Sequence, residues 1–421
     1  MIARALYTLA WWLALPLAFL YLWRRGRKQP AYRADWAERL GRYPHSPAGP
    51  VIWLHAVSVG ETRAAQPLVE ALLAQYPGHT ILLTQMTPTG RETARQLYGD
   101  RVRVAYLPYD LPFAVARFLR HFKPRLGVLM EMELWPNLIH SARDAGVPLY
   151  LINARLSARS ARGYGRVRGL IMPALARFNG VLAQGQDDAA RLAQLGAVQV
   201  TVAGNLKYDL APPTDQIAEG KAWRTLWGAA RPVWAAACTR DGEEALLLDA
   251  LPEANLPADA LLVLVPRHPQ RFDEVAALLE ARGLRHVRRS RWDAQQPIPP
   301  DTQVVLGDSL GELACYYAAC DVAFVGGSLL DFGCHSVIEP AAVGLPVVVG
   351  PSDFNFKDAV AEAVALGAAH QCPDTGAVLA DVAALLGAPA QRQAMAQAAA
   401  ALIAHHRGAL ARTLAALPDM N

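Results

Sequence analysis

From residue 51 onward, short apolar runs alternate with longer stretches in which apolar and polar positions interleave at helical spacing. The runs 51–56 (VIWLHA), 80–84 (TILLT), 101–107 (RVRVAYL), 126–130 (LGVLM), 148–153 (PLYLIN), 180–183 and 200–203 predict seven strands. Helices are predicted among them at 64–75, 112–121 and 136–145. The pattern breaks at 209–214 (DLAPPT) and restarts, with strands predicted at 233–237, 260–265, 303–306, 322–325 and 346–349 and helices at 271–281 and 310–319. Strands at this spacing with helices between them predict βαβ units and mostly parallel sheets. Two such halves joined by a Pro-rich linker put ligands at the C-terminal ends of the strands, in a cleft between the halves. Residues 292–300 read as a surface loop, and the Ala-rich segment from 376 to the end as helical packing.

The segment before the first strand follows a different pattern. Residues 5–23 form a run of 19 without a charge, holding Trp11, Trp12, Phe19, Tyr21 and Trp23. As a helix it would be about 28 Å long, close to the thickness of the hydrocarbon core of a bilayer. Arg4 precedes it, and Arg24, Arg25, Arg27 and Lys28 follow at once. This predicts a membrane anchor with the rest of the chain on the cytoplasmic side. No small-residue cleavage site separates the apolar run from the arginines, which argues against a signal peptide. Pro16 leaves two geometries open, a span or a helix lying in the interface.

Composition changes the picture in two places. A chain of 421 residues is too long for one ordinary core, which predicts two domains. A formal net charge of +4 is too modest to argue for nucleic acid. The five cysteines, Cys238, Cys315, Cys320, Cys334 and Cys372, lack CxxC spacing and predict neither a disulfide framework nor a zinc site.

Candidate chemistry gathers at strand ends. After the first strand, residues 55–61 (HAVSVGE) expose Ser58, the Gly60 backbone and Glu61. From position alone Glu61 reads first as a first-turn helix residue favoured by the macrodipole. Glu131 and Glu133 follow the fourth strand, Arg267 and His268 follow a strand of the second half, and Thr239, Arg240 and Glu243 follow another. The turn Gly326-Gly327-Ser328, with Glu339-Pro340 further on, would let a phosphate approach the backbone, and Glu339 would reach ribose hydroxyls. Arg267 suits a phosphate because its planar fork donates two bonds at once. The absence of GxxxxGK(S/T) and GxGxxG counts against an NTPase and an ordinary dehydrogenase. No paired-His or DxD element calls for a metal.

In this order, HAVSVGE (55–61), TQMTPTG (84–90), YLPYD (106–110), MEMELWPN (130–137), NARLS (153–157), GNLKYD (204–209), PRHPQRF (266–272), GGSLLDFGCHSVIEPA (326–341) and FNF (354–356) resemble the Kdo (3-deoxy-D-manno-octulosonic acid) transferases of lipopolysaccharide inner-core biosynthesis. The resemblance implies a GT-B fold, with two Rossmann-like domains whose parallel sheets face a central cleft. It implies domains at 1–28 (anchor and basic flank), 29–210 (acceptor side) and 211–421 (donor side). It further implies inverting transfer of Kdo from CMP-Kdo to a lipid A precursor at the cytoplasmic face of the bacterial inner membrane, among its lipids and without a metal or other cofactor. On the positions that match, Glu61 is implied as the general base and Glu131 or Glu133 as a second acid. Ser58, Gly60 and Arg155 fall on the acceptor side, and Arg267, His268, Ser309, Gly326, Gly327, Ser328, Glu339, Asn355 and Lys207 on the donor side. The chain departs from the usual pattern at Met132, Arg240, Cys334, Ser336 and 352–353. The turn chemistry alone would also admit another nucleotide sugar, such as a UDP- or GDP-hexose, or a tethered nucleotide-sugar binder without turnover.

Overall fold

The computed structural model describes residues 2–27, 29–209 and 213–420. Lys28 of the expected basic flank and 210–212 of the expected linker lie outside the described residues. The chain divides into two compact units, one made of 1–210 together with 406–421 and the other of 211–405.

In the first unit β1 (Val51–His55), β2 (Thr80–Gln85), β3 (Arg103–Tyr106), β4 (Pro124–Met130), β5 (Leu149–Ala154), β6 (Gly180–Ala183) and β7 (Val200–Val202) form a seven-stranded sheet in the order β3-β2-β1-β4-β5-β6-β7. All its pairings are parallel. Every residue of β1 is buried. Its pleat divides them by the period of two: Trp53 enters the core on one face with Phe118 and Leu138, while Ile52 and Leu54 enter the other with Leu68 and Tyr98. An apolar strand without alternation is therefore what a doubly covered sheet requires.

The second unit repeats the plan with β8 (Val233–Thr239), β9 (Leu261–Pro266), β10 (His286–Arg288), β11 (Val304–Leu306), β12 (Val322–Val325), β13 (Val347–Val349) and β14 (Ala369–Gln371). Its order is β10-β11-β9-β8-β12-β13-β14, again parallel throughout. The order reverses between β1 and β4 in one sheet and between β8 and β12 in the other. At such switch points the loops leaving adjacent strands diverge and open a crevice at the carboxyl edge.

Three expectations need correction. The helix expected from residue 64 begins at Val59 and comes in two pieces, α2 (Val59–Ala64) and Gln66–Gln75, because Pro67 has no N–H to carry the first ladder across the joint. The two edge strands β10 and β14 escaped prediction, since neither HVR nor AHQ is an apolar run. The segment 292–300 is a mostly exposed loop, as expected, tied down by Trp292 against Trp223 and Trp227 and by the buried Ile298. Residues 406–421, expected in the second domain, belong to the first unit. Asp209 accepts the amides of Gly408 (2.8 Å) and Leu410 (2.6 Å) and so caps the helix Ala409–Ala416, which seats Ala409, Leu410 and Leu414 in the first unit's core.

The amino-terminal helix α1 (Ile2–Arg25) runs unbroken through Pro16. One face docks on the first unit, with Trp11, Leu15, Ala18, Phe19 and Leu22 packing among Tyr32, Trp36, Met86 and Tyr109. The opposite face is bare: Ile2, Leu6, Leu13 and Leu17 are each more than 60% exposed. None of the five cysteines forms a disulfide.

Candidate active site

At the first switch point, β1 ends at His55 and the chain turns through Ser58 into α2. Ser58 is the N-cap: its hydroxyl accepts the Glu61 amide (3.4 Å) and donates to Glu61 Oε1 (3.2 Å). Glu61 Oε2 accepts the Val57 amide (2.8 Å). The Ser-x-x-Glu spacing thus closes as a capping box reaching one residue further back than usual. The turn leaves Gly60 exposed and Glu61 only 8% exposed. Burial raises the Glu61 pKa to about 8, and the negative charges of Glu131 and Glu133 push the same way against the Val57 amide and the Ser58 hydroxyl. A carboxylate in this state has a proton affinity matched to the working pH and, once ionised, takes up a proton readily, the property wanted of a general base.

Glu131 and Glu133 leave the end of β4, the neighbour of β1 across the switch point. Glu131 sits at φ 54°, a left-handed backbone unusual for a side chain of this size, and its carboxylate pairs with Lys207 at 3.7 Å. Glu133 Oε2 accepts the Trp135 indole N–H (2.8 Å), and burial raises its pKa. Its other neighbour is His55 Nε2 at 3.9 Å. That contact is not an ion pair: burial lowers the His55 pKa to about 4, so the ring is neutral, and Nδ1–H donates to the Thr84 carbonyl (3.1 Å). The Nε2 lone pair is then buried and faces Glu133 without a partner among the described residues. Arg155, half-buried, follows the end of β5 on the same sheet edge.

In the second unit the loop after β8 and the turn after β12 meet on one buried carboxylate. Glu243, fully buried, accepts the amides of Arg240 (2.8 Å), Gly327 (2.6 Å) and Leu329 (2.8 Å). Gly327 has φ 72°, and a Cβ on Gly326 would lie 2.6 Å from the Thr239 Cα, so both glycines are required by the close approach of these two strand ends. The Gly326 amide bonds to the Ala237 carbonyl. The amides of the Gly-Gly turn are therefore already engaged. Ser328 is likewise closed off, its hydroxyl donating to the Val325 carbonyl (2.5 Å) and accepting the Gly350 amide (2.9 Å).

Side chains supply the positive charge instead. Arg240 donates to His268 Nε2 (3.0 Å) and lies over the Phe332 ring (4.7 Å). Arg267 is exposed and has no carboxylate partner among the described residues. Burial first, then Arg267 and Arg240, lower the His335 pKa to about 4, and burial with Arg240 and Arg267 lowers that of His268. This density of uncompensated cations is what an anion would relieve. Asn355 donates to the Phe332 carbonyl (2.7 Å) and steadies that loop, Glu339 is exposed at the start of the helix Ile338–Ala342, and the Ser309 hydroxyl pairs with that of Tyr316 (2.6 Å). Lys207, expected on the donor side, belongs to the first unit, beside Glu131.

Sequence reasoning missed Glu243 as the knot of the second site and Asp110 and Asn137 behind the first. Asp110 is fully buried and accepts the amides of Asn137 (2.9 Å) and Leu138 (2.7 Å) at the start of the helix Pro136–Asp144. The available signal was a charged residue ending a run of tightly spaced motif letters, YLPYD. Among the described residues, no group of three or more His, Cys, Asp or Glu side chains is placed to hold a metal ion.

Residues 34–210 match the family described as 3-deoxy-D-manno-octulosonic-acid transferase (kdotransferase). The 3-deoxy-D-manno-octulosonic acid transferase of Bordetella pertussis is 47% identical over 429 aligned positions, covering 99% of this chain and 99% of that protein. That of Haemophilus influenzae is 39% identical, covering 98% and 97%. Among solved structures, the UDP-GlcNAc 2-epimerase of Neisseria meningitidis bound to UDP-GlcNAc superposes with a TM-score of 0.58 at 14% identity, over 87% of this chain and 98% of that one. That last likeness is one of fold alone, two parallel-sheet α/β domains of the GT-B kind.

Proposed function

Because this chain belongs to the 3-deoxy-D-manno-octulosonic acid (Kdo) transferase family, and is therefore a glycosyltransferase, we propose that it moves Kdo from CMP-Kdo to a lipid A precursor with Glu61 as general base. In this reading the acceptor sugar hydroxyl gives its proton to Glu61 as its oxygen attacks the anomeric carbon of Kdo. The C–O bond to the CMP phosphate breaks on the opposite face, and configuration inverts. CMP leaves with the bonding pair. Arg267 and Arg240 meet the charge on its phosphate, with His268 and His335 beside them. Burial holds the Glu61 pKa high, Glu131 and Glu133 add to it, and these two line the acceptor side with Ser58, Gly60 and Arg155. Glu339 and Asn355 serve the nucleotide side.

The observation that carries this reading is the state of Glu61, buried, bonded through both oxygens and raised to about 8 beside two further carboxylates. A helix-capping Glu needs only the bonds. The like charges around it raise its energy as an anion and have no use in a cap. Incubation with CMP-Kdo and a tetra-acylated lipid A precursor should yield a Kdo-bearing lipid by mass spectrometry with one CMP released per Kdo added. Release of nucleotide from a UDP- or GDP-hexose, and none from CMP-Kdo, would refute the donor assignment.

We also propose that α1 holds the enzyme in the cytoplasmic leaflet of the inner membrane, lying along it. Its bare apolar face runs the length of the helix while the other face is occupied by protein, the arrangement of an interfacial helix. Arg24, Arg25 and Arg27 at its end would meet anionic headgroups, each contributing on the order of 1 kcal/mol near the surface.

A further inference from the structure

The docked face of α1 leads straight to the acidic pair. The Trp11 ring stacks on Trp135 (centroids 6.3 Å apart) and on Tyr109 (5.4 Å). Trp135 donates its indole N–H to Glu133 Oε2 at 2.8 Å. One turn earlier, Thr8 Oγ1 accepts from Asn137 Nδ2 at 2.9 Å, and the same amide nitrogen donates to the Asp110 carbonyl at 2.8 Å. The Tyr7 hydroxyl lies against the Asp110 carboxylate. The residues that α1 touches, Trp135 and Asn137, flank Pro136, where the next helix starts and whose first amides Asp110 caps. Three positions just after Glu133, at Trp135, Asn137 and Leu138, are thus pinned, and the first two are held by the amino-terminal helix.

From this juxtaposition we infer that α1 is part of the acceptor site, with Trp11 and Thr8 as positioning residues that fix Glu133 through Trp135 and Asn137. A membrane anchor needs an apolar outer face and nothing more. Aromatic stacking and a buried-side hydroxyl bond on the inner face serve the site. An indole N–H can hold a carboxylate in one place only if the indole is itself held. Trp135 is half-buried with α1 in place, and one of its walls is the Trp11 ring stacked on it at 6.3 Å. Without that wall Trp135 gains rotamers, Glu133 loses its fixed donor, and the carboxylate beside Glu61 swings. Reactive geometry of this kind is sensitive to displacements near 1 Å, worth about a hundredfold in rate. The inference rests on the transferase reading given above.

The test uses the full-length protein in detergent micelles, with CMP-Kdo and the tetra-acylated lipid A precursor, so that membrane partition does not limit turnover. Trp11→Ala should lower kcat about tenfold or more at an unchanged KM for CMP-Kdo, and Trp11→Phe should restore it to within about twofold. Flotation of Trp11→Ala onto phosphatidylethanolamine–phosphatidylglycerol vesicles should stay as in the wild type, because the bare face is untouched. Should Trp11→Ala lose its cooperative melt, Thr8→Val decides, with kcat lowered severalfold at the same donor KM. Wild-type kcat in the folded variant, or a loss seen only in flotation, overturns the inference alone. A wild-type chain that transfers no Kdo overturns it together with the transferase reading.

Discussion

The Val57 amide reaches Glu61 Oε2 at 2.8 Å, so the residue proposed as base also holds shut the turn that carries it. This dual use decides which substitution is informative. Alanine would open the turn and confuse two effects. Glutamine keeps a carbonyl oxygen for Val57 and an amide for the Ser58 hydroxyl oxygen, and it resembles the protonated acid that burial already favours.

Glu61→Gln should therefore keep the fold and the nucleotide while losing the chemistry. Turnover should fall by a factor of about a hundred to ten thousand, the usual worth of a positioned base. CMP binding by calorimetry and the melting temperature should stay at wild-type values. Turnover within about twofold of wild type would remove Glu61 from the mechanism.

The pH dependence follows from the same residue. Only the ionised carboxylate accepts a proton, so kcat/KM should rise with pH along a limb centred near 8. Glu131→Gln removes the larger of the two like charges that raise Glu61, and Glu133→Gln the smaller. Both should move the limb to lower pH, Glu131→Gln further. The stability effect has the opposite sign to activity. The folded chain holds this proton where the unfolded chain has released it, so stability falls as pH rises from the ordinary 4.5 to about 8 and levels off above. Glu61→Gln should flatten that part of the melting-temperature profile. A limb that stays in place in both neighbouring variants would show that the carboxylates do not communicate.

The sheets were legible in the sequence because a strand covered on both faces must be apolar throughout, and VIWLH or LLVLVP admits little else. The edge strands β10 and β14 were not, since HVR and AHQ are only partly buried and need no run of hydrophobics. Glu61 was legible as a residue and ambiguous as a role, because its capping bonds and its proposed chemistry use the same spacing. The return of 406–421 to the first unit left no local mark. It depends on Asp209 finding two amides nearly two hundred residues away, and such pairings are written in no window of sequence. The engagement of the Gly326 and Gly327 amides within the protein was illegible for a related reason. Glycines at a strand end admit a ligand or another backbone equally well, and here Glu243 and the end of β8 took the place.

Glu243 should prove indispensable to the second unit without touching substrate. Its two oxygens take three amides in a fully buried setting. Glutamine would turn an NH2 group toward at least one of those N–H donors and leave it unsatisfied, at a cost of about 1–3 kcal/mol. Glu243→Gln should lower the melting temperature by several degrees and weaken CMP binding, because Arg240 and the Gly327 turn lose their common tie. A variant that melts within a degree of wild type and binds CMP equally well would deny it this role.

Arg267 presents the reverse case, a charge with consequences for binding and none for folding. It is exposed, no carboxylate among the described residues answers it, and its neighbours Arg240, His268 and His335 add no negative charge. Removing it should relieve the free protein slightly and leave the melting temperature unchanged or a little higher. In a complex, charge-assisted bonds from its guanidinium to a phosphate are worth about 1.5–3 kcal/mol, so Arg267→Ala should weaken CMP binding between about tenfold and a hundredfold. Arg267→Lys should recover only part of the loss, because an ammonium cannot make the forked contact. Since the group faces water, its contribution should shrink as ionic strength rises and the Debye length shortens. The affinity gap between wild type and Arg267→Ala should thus be widest at low salt and narrow steadily in a calorimetric titration across salt. A gap that ignores salt would mean that Arg267 shapes the loop and does not hold the anion.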